Sequence, residues 1–224
     1  MKIPITILSV LMLCASVARA QTTETSGSSF AVLAGVNFQN LNGTDYDGTK
    51  LENDMITGFH AGVNMQIPVA PEFYFQPGLL FSTKGAQNTE EGFTFKYSIA
   101  YVELPLNFVY KGALGSGHVL VGFGPYLAYG ISGKVSTEST EASTETDIVF
   151  QSVVETTDPF TVPYLKAMDV GGNIFAGYEM ASGIFLQLNT QFGMIKINPE
   201  DKRIEDDKSS LKNTGFGLSV GYRF

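Results

Sequence analysis

Apolar and polar residues alternate with a period of two along most of this 224-residue chain. The clearest case is residues 57–67, where alternate side chains would point to opposite faces of a strand. One face would carry Thr57, Phe59, Ala61, Val63, Met65 and Ile67, and the other Gly58, His60, Gly62, Asn64 and Gln66. This alternation predicts a strand whose two faces meet different environments.

The same alternation predicts seven further strands. The approximate bounds of all eight are 29–41, 57–67, 72–83, 96–110, 118–131, 166–180, 184–196 and 214–224. Strands of soluble sandwiches average about five or six residues, whereas a tilted strand that crosses a bilayer needs about nine to eleven. The even number and the length of the segments therefore predict an all-β fold, an eight-stranded antiparallel up-and-down transmembrane β-barrel.

The chemistry of the two faces indicates which of them meets lipid. One face is aromatic and β-branched, and the other consists of Gly, Asn, Gln and a few charges. The interior of an eight-stranded barrel is just wide enough for side chains to fill it, so small and polar residues suit the lumen. A charged fraction of 16% also agrees with a large lipid-facing surface, because soluble domains average about 25%. Outer-membrane lipid is therefore an expected partner.

The predicted connections alternate in length. Residues 68–71, 111–117 and 181–183 are short turns, whereas residues 42–54, 84–95, 132–165 and 197–212 are longer and polar. Short periplasmic turns and long extracellular loops are typical of outer-membrane barrels. The sequence therefore predicts four extracellular loops, with both chain termini in the periplasm.

Three prolines, Pro77, Pro105 and Pro125, lie inside predicted strands. Proline has no N–H group to donate to a sheet ladder and normally occupies edges or bulges. A closed barrel has no edge strand, so we expect a bulge or a local ladder break at each proline.

The first residues have the pattern of a targeting segment. Lys2 precedes an apolar run at 3–13, and Ala18 and Ala20 frame a small-residue cleavage site. We therefore expect a cleaved signal peptide at 1–20, a short periplasmic segment at 21–28, and an outer-membrane barrel at 29–224 with a long extracellular loop at 132–165. Export together with lipid-facing strands predicts localisation in the outer membrane.

The overall charge and the cysteine count exclude several classes of function. A formal charge of −8 and a pI near 4.7 argue against a nucleic-acid partner. A single cysteine excludes a disulfide scaffold and a cysteine-based zinc site. The two histidines do not have the spacing of metal ligands, so the sequence predicts no metal site and no cofactor.

The polar faces of the strands should meet in the lumen as one hydrogen-bonded network. Because buried charges must be paired, Arg223 is expected to pair with Glu179 or with Glu103. The narrow interior favours a plug that stiffens the barrel, and a narrow conduit or ligand cavity is the alternative. The predicted network comprises His60, Asn64, Gln76, Tyr101, Glu103, Asn107, Tyr126, Asp169, Glu179, Gln187 and Arg223.

A catalytic interpretation of this network has one candidate, His60 with Glu103 or Asp169 as an acid/base pair. Catalysis would also need a nucleophile and an open pocket. The second histidine, His118, lies on a predicted periplasmic turn. The sequence therefore predicts no catalytic residue.

The loop at 132–165 combines two kinds of segment. Residues 136–146 form a Thr- and Glu-rich near-repeat that is too polar to pack by itself. Residues 147–154 are strand-like, so they would extend a hairpin beyond the membrane or dock a protein partner. The sequence leaves both a solvated loop and a partner-binding loop open.

Short motifs follow one another along the barrel region. They are Gly58-Phe59-His60-Ala61-Gly62, Gln76-Pro77, Lys84-Gly85, Tyr101-Val102-Glu103-Leu104-Pro105, Gly124-Pro125-Tyr126 and Gly221-Tyr222-Arg223-Phe224. In this order they resemble the PorT-like outer-membrane β-barrel family of Bacteroidetes, and the resemblance covers residues 30–224. It implies an eight-stranded outer-membrane barrel and, through the founding member, a link to protein secretion across that membrane.

The aromatic end of the last strand looks like an assembly signal. Tyr222 and Phe224 share the predicted lipid face, and the chain ends on Phe224. Barrel-assembly machinery reads such a terminal aromatic in many outer-membrane proteins, so this machinery is a predicted partner through the C-terminal strand.

The leading hypothesis is an outer-membrane barrel with a structural or interaction role, accessory to protein secretion or to surface binding through its extracellular loops. One alternative is a small pore or ligand conduit, and another is a membrane-embedded enzyme. A fourth hypothesis is a secreted, soluble, lipocalin-like barrel that binds lipophiles inside.

Overall fold

The computed structural model describes residues 27–90, 92–139 and 142–224; the predicted signal peptide lies outside them. No helix in these ranges is long and apolar enough to cross a membrane. The strands are β1 (Ser29–Thr44), β2 (Ile56–Ala70), β3 (Phe73–Glu90), β4 (Phe93–Leu114), β5 (Gly117–Glu138), β6 (Ser143–Asp147), β7 (Val149–Phe150), β8 (Val153–Val154), β9 (Tyr164–Leu165), β10 (Met168–Glu179), β11 (Ile184–Gly193), β12 (Glu200–Asp201) and β13 (Ser210–Arg223).

Eight of these strands close into one barrel. Their order around the ring is β10-β11-β13-β1-β2-β3-β4-β5, and β5 pairs with β10 to complete it. Every neighbouring pair is antiparallel, and the first and last strands pair from Ala31↔Arg223 to Thr44↔Ser210. The predicted eight-stranded antiparallel up-and-down barrel is confirmed.

The apolar faces of the strands point outward, as predicted. On β2, Phe59 and Val63 are 54% and 47% exposed, whereas the residues that follow each of them, His60 and Asn64, are buried. A soluble barrel that binds lipophiles needs the opposite arrangement, with an apolar lumen and a polar outer face. That alternative is wrong, because the exposed aromatic and aliphatic side chains form a band suited to lipid.

One end of the barrel, the turn end, carries the short connections and both ends of the described chain. Residues 71–72, 115–116 and 180–183 join the strands there. The opposite end, the loop end, carries the connections 45–55, 139–167 and 194–209. The alternation of short turns and long loops is therefore present, with one exception.

The exception is the predicted long loop at 84–95, which is wrong. β3 and β4 continue their ladder from Thr83↔Ala100 to Glu90↔Phe93, as a hairpin with a tight turn. Polar residues suggested a loop, but a hairpin above the lipid needs no apolar outer face. Gly85 has φ +154°, and a Cβ atom there would overlap the Tyr97 carbonyl oxygen, so this close strand pairing requires glycine.

The outer face becomes polar where β3, β4 and β5 pass beyond the apolar band. A register shift between Ala100 and Tyr101 on β4, opposite β5, lies at this level. It changes which β5 residues face inward, so that Gly133 is buried although Ile131 is exposed. The outward positions above the band include Thr83, Gln87, Lys96, Ser98 and Lys134.

The three strand prolines interrupt pairing without shifting the register. Pairing between β2 and β3 skips from Asn64↔Gly78 to Ile67↔Phe75 beside Pro77. Two residues are left unpaired on each strand, so the register is the same on both sides of the gap. The β3–β4 ladder has the same two-residue gap at Pro105, and the β4–β5 ladder has it at Pro125. The predicted local breaks are present, but no bulge forms at these sites.

Candidate functional site

The lumen is filled from end to end, and its turn end is closed by ion pairs. Arg223 Nε donates a hydrogen bond to Glu179 Oε2 at 2.8 Å, and the Lys111 ammonium group pairs with the other carboxylate oxygen. Arg223 also donates to Asn64 Oδ1 at 3.2 Å. Of the two partners expected for Arg223, the structure places Glu179 beside it, whereas Glu103 lies elsewhere in the lumen.

A layer of apolar side chains lies in the lumen near these ion pairs. Phe185 is buried, with its ring 5.5 Å from the Arg223 guanidinium. This layer was not predicted, because the inner face was expected to be polar throughout. The strand parity already placed these residues inward, since Phe175 alternates with Asn173 and Glu179. The layer comprises Ala31, Leu33, Val109, Leu120, Phe175 and Phe185.

His60 occupies the middle of the lumen between two hydrogen-bonding partners. Its Nδ1 lies 2.6 Å from Asn37 Oδ1, and its Nε2 lies 2.7 Å from Ser219 Oγ. Neither Glu103 nor Asp169 hydrogen-bonds to His60, so the suggested acid/base pair does not form. Asn37 and Ser219 were not in the predicted network, although both occupy inward positions.

Amide side chains surround a small cavity next to His60. In the wall of this cavity, the Gln76 Oε1 atom accepts a hydrogen bond from Gln66 Nε2 at 2.8 Å. The cavity volume is about 40 Å³, which is room for two or three water molecules and too little for an organic ligand. Predicted network residues in its lining are His60, Asn64, Gln76, Asn107 and Gln187.

A buried lysine lies nearer the loop end. The Lys84 ammonium nitrogen is 2.8 Å from Glu103 Oε1 and 3.5 Å from Asp169 Oδ2, and all three side chains are at most 1% exposed. The same nitrogen lies 4.3 Å from the centre of the Tyr126 ring and 5.4 Å from that of Tyr101. Opposite charges and aromatic faces therefore compensate the loss of water around this ammonium group.

Neutral donors hold the two carboxylates in place. Tyr126 donates its hydroxyl proton to Asp169 Oδ2 at 3.1 Å, and Asn213 Nδ2 donates to the same oxygen at 2.9 Å. Gln191 Nε2 donates to Glu103 Oε2 at 3.1 Å. The group ties together six barrel strands and is called the lysine cluster here: Lys84, Tyr101, Glu103, Tyr126, Asp169, Gln191 and Asn213.

The lysine cluster brings together four predicted network residues: Tyr101, Glu103, Tyr126 and Asp169. Lys84 was absent from the predicted network, because residues 84–95 were expected to form a loop. Continuing the inward parity of Gln76 and Ser82 by two more residues would have found it.

Loop residues cover the lysine cluster on the loop-end side. Ile148, Leu165 and Ile197 are each at most 7% exposed, and they pack with Leu41 and Ile99 of the barrel. Residues 143–167 and 194–209, which supply this cover, are called the loop cap. Lysine cluster and loop cap close the lumen at this end with two successive layers.

The loop cap has its own folded structure. β7 pairs with β9 and β8 with β12, both in parallel, and β6 extends the ladder of β5. Arg203 joins the two loops, because it donates to the Pro159 carbonyl at 2.8 Å and lies 4.3 Å from the Phe160 ring centre. The predicted strand-like segment at 147–154 contains β7 and β8.

The Arg203 guanidinium is itself held by a bidentate ion pair with Asp201. Arg203 Nε lies 2.8 Å from Asp201 Oδ1, and Nη2 lies 2.6 Å from Oδ2. Hydrogen bonds from Arg203 lower the pKa of the Asp201 carboxyl below its usual value. This pair fixes the orientation of the guanidinium that bridges the two loops.

The two aromatic residues of the predicted assembly signal lie on the outer face at the turn end. Their ring centroids are 4.9 Å apart in an edge-to-face arrangement. Tyr222 is 42% and Phe224 is 75% exposed. The Phe224 N–H also donates to the Phe30 carbonyl at 2.8 Å, which anchors the end of the chain to β1.

The described ranges contain no group of three or more His, Asp, Glu or Cys side chains that could hold a metal ion. His118, which the sequence places where the short turn at 111–117 meets the next strand, lies near the start of β5, opposite Ala113. The two histidines are therefore on different parts of the barrel wall and do not converge.

The family model described as outer membrane protein beta-barrel domain matches residues 19–198. Neisserial surface protein A (NspA) is 11% identical, with 89% of this chain and 100% of that chain covered at a TM-score of 0.45. Ail, the attachment invasion locus protein of Yersinia pestis, in complex with the heparin analogue sucrose octasulfate, is 12% identical, with 88% and 99% covered at 0.37. Among curated proteins, none matches this sequence.

Proposed function

Because the chain belongs to the family of outer membrane protein beta-barrel domains, we propose that it is a sealed interaction barrel whose loop cap binds a protein partner outside the cell. In this proposal the turn end faces the periplasm and the loop end faces outward. The filled lumen is a rigid support for the cap.

The observation that carries this proposal is the folded state of the loop cap. A loop that is only a solvated connection needs no internal sheets, whereas this one has two, with Arg203 bridging its two segments. It nevertheless presents large apolar side chains to solvent, since Phe160 is 73% and Val149 is 42% exposed. An ordered surface with exposed aromatic and aliphatic groups is typical of a binding surface.

The closed lumen favours this function over the pore or ligand conduit. Ion pairs, an apolar layer, the lysine cluster and the loop cap follow one another along the barrel axis. The cavity between them admits only a few water molecules. The proposal also needs no catalytic step, and it assigns no catalytic residue.

Within this function we favour a PorT-like role accessory to protein secretion. The support is that Lys84, Tyr101, Glu103 and Tyr126, which belong to the motifs that resemble that family, are all members of one buried cluster. In this proposal the motifs stabilise the lumen below the loop end, and the PorT-like family shares them because its members need the same support for their loops. The partner would then be a component or a cargo of the secretion apparatus.

Photo-cross-linking in living cells tests the partner-binding role. A photoreactive phenylalanine analogue at Phe160 should give one discrete adduct with an envelope or secreted protein. The matched control places the analogue at Leu114, which is 58% exposed but lies at the turn end. Absence of an adduct at Phe160, or the same adducts at both positions, would contradict the proposal. A deletion strain with an unchanged set of secreted proteins would remove the secretion role alone.

We also propose that barrel-assembly machinery reads the C-terminal strand through Tyr222 and Phe224. Their exposure on the lipid face leaves both rings free for such recognition. Phe224→Ala should lower the amount of folded barrel in cells, while refolded protein keeps its resistance to urea. Leu114→Ala, at another exposed position of the turn end, is the control. Equal cellular amounts of both variants and wild type would overturn this assignment.

A further inference from the structure

A second and larger cavity lies in the mouth of the barrel at the loop end. Its volume is about 290 Å³, near the lower end of the range for small-molecule sites. It lies between the β3–β4 hairpin, the 45–55 loop and the upper ends of β1 and β13. The side chains that decide its chemistry are Leu41, Asp45, Leu51, Phe95, Tyr97 and Leu211.

The amide side chains in the cavity wall are already committed to the protein. Asn53 Nδ2 donates to the Leu41 carbonyl at 2.8 Å. Asn198 donates to Ser209 Oγ at 2.8 Å and accepts from the Leu211 N–H at 2.9 Å. Asn88 Nδ2 donates to Glu90 Oε1 at 3.0 Å. These groups stiffen the wall, and the surface offered to a ligand is mainly aliphatic and aromatic.

Asp45 is the one charged side chain among the described residues that line this cavity. Its Oδ1 accepts hydrogen bonds from the backbone N–H groups of Asp47 and Thr49, at 3.1 and 3.2 Å, and these fix the carboxylate at the rim. The 45–55 loop also carries Asp47, Glu52, Asp54 and Lys50. Lys208 of the neighbouring loop packs against the same turn, and beside it the Asp207 carboxylate accepts a hydrogen bond from Ser209 in the cavity wall. Carboxylates therefore outnumber ammonium groups around the mouth. The field at the mouth is therefore negative.

We propose that this cavity binds a small amphiphilic cation, an aromatic ring that bears an ammonium group. The ring would pack among the leucines and against Phe95 and Tyr97, and the ammonium group would lie near the Asp45 carboxylate. An anionic analogue of the same size would be repelled by the rim. The inference rests on the proposed function only for placing the mouth outside the cell.

Binding of tryptamine to the full-length protein in detergent tests this inference. The protein has no tryptophan, so indole fluorescence reports the ligand alone. Tryptamine should bind saturably, and indole-3-propionate, the anionic analogue, should bind on the order of tenfold more weakly. Micelles without protein measure the partition of each probe into detergent.

Asp45→Asn is the decisive variant. Asparagine keeps the Oδ1 acceptor for the two backbone N–H groups, so the turn is retained while the charge is lost. Tryptamine affinity should then fall on the order of tenfold, to that of indole-3-propionate. Asp47→Asn is the matched control, since Asp47 belongs to the same turn but does not line the cavity; it should retain the preference for tryptamine.

Equal binding of the two probes to wild type, or unchanged discrimination in Asp45→Asn, would overturn the inference. Tryptamine signals equal to those of empty micelles would do the same. Because this measurement uses purified protein, its failure is distinguishable from a failure of photo-cross-linking at Phe160 in cells.

Discussion

Lys84 is the residue on which the charge balance of the loop-end half of the lumen depends. Its ammonium group lies between Glu103 and Asp169, and all three side chains are withdrawn from water. Removing one member of such a buried group leaves a charge without compensation, which costs more than the intact pairing contributes. The lysine cluster should therefore tolerate concerted neutral replacement better than loss of the lysine alone.

Lys84→Met should lower the free energy of unfolding by about 3–5 kcal/mol, because it leaves two buried carboxylates unpaired. Urea unfolding in detergent, followed by circular dichroism and by heat-modifiable gel mobility, measures the change. The triple variant Lys84→Met, Glu103→Gln, Asp169→Asn should recover most of the loss. Lys134→Met is the control: Lys134 pairs with Glu145 at the same 2.8 Å, but both side chains are more than half exposed. A fully stable Lys84→Met protein would refute this account.

At the scale of elements, the sequence predicted what the lipid imposes and missed what tertiary contacts impose. Alternation found all eight barrel strands, because lipid and lumen demand opposite residues at successive positions. It ended β3 near Thr83, since above the lipid the outer face has no reason to be apolar. That error also removed Lys84 from the predicted network. The two-residue strands β7, β8, β9 and β12 have no periodic signal. β7 pairs with β9 within one loop, and β8 pairs with β12 of the other loop, so tertiary contacts alone hold them.

Acidification should loosen the loop cap through the Asp201–Arg203 pair. The pKa of Asp201 is lowered in the folded protein, so the pair contributes stability above the unfolded pKa of about 3.9. That contribution is lost as the pH falls through the still lower folded pKa. Cleavage by pepsin within residues 148–165 should therefore accelerate steeply below about pH 4, while the barrel remains intact.

Asp201→Asn should already be cleaved rapidly by pepsin at about pH 4, where wild type still resists. The variant lacks the negative charge that holds Arg203. Any pH dependence left in that variant reports carboxyl groups of the cap other than Asp201. Identical cleavage profiles for wild type and Asp201→Asn would show that this ion pair does not hold the cap.

The whole molecule behaves as a plugged cylinder with independent closures at its two ends. Ion pairs of Arg223 and Lys111 with Glu179 close the turn end, and the lysine cluster lies beneath the loop cap at the other. The alternation of inward and outward residues along eight strands was sufficient to predict a lumen filled by side chains. The sequence could not show in what order the layers follow, because that order depends on the stagger between strands.

Purified protein in planar bilayers should give no stepwise current. A variant in which residues 139–167 are replaced by a short Gly/Ser turn should also be silent, because the lysine cluster still fills the lumen below the cap. A variant that also has Lys84, Tyr101 and Tyr126 replaced by Ala should stay silent too, because the ion pairs of Glu179 and the apolar layer around Phe185 still close the turn end. Regular current steps from wild type would contradict the plug.

The length of β4 has a consequence for what can touch the protein. Its 22 residues, at about 3.3 Å each and tilted by about 40°, climb about 55 Å, roughly twice the ~25 Å apolar band of a barrel. β3 and β5 pair with β4 along this length. This side of the barrel is therefore a stiff raised wall that extends well beyond the lipid head groups. A large protein that approaches from the loop end would therefore contact this raised wall before it reached the membrane surface, at a height fixed by the backbone hydrogen bonds of the ladders.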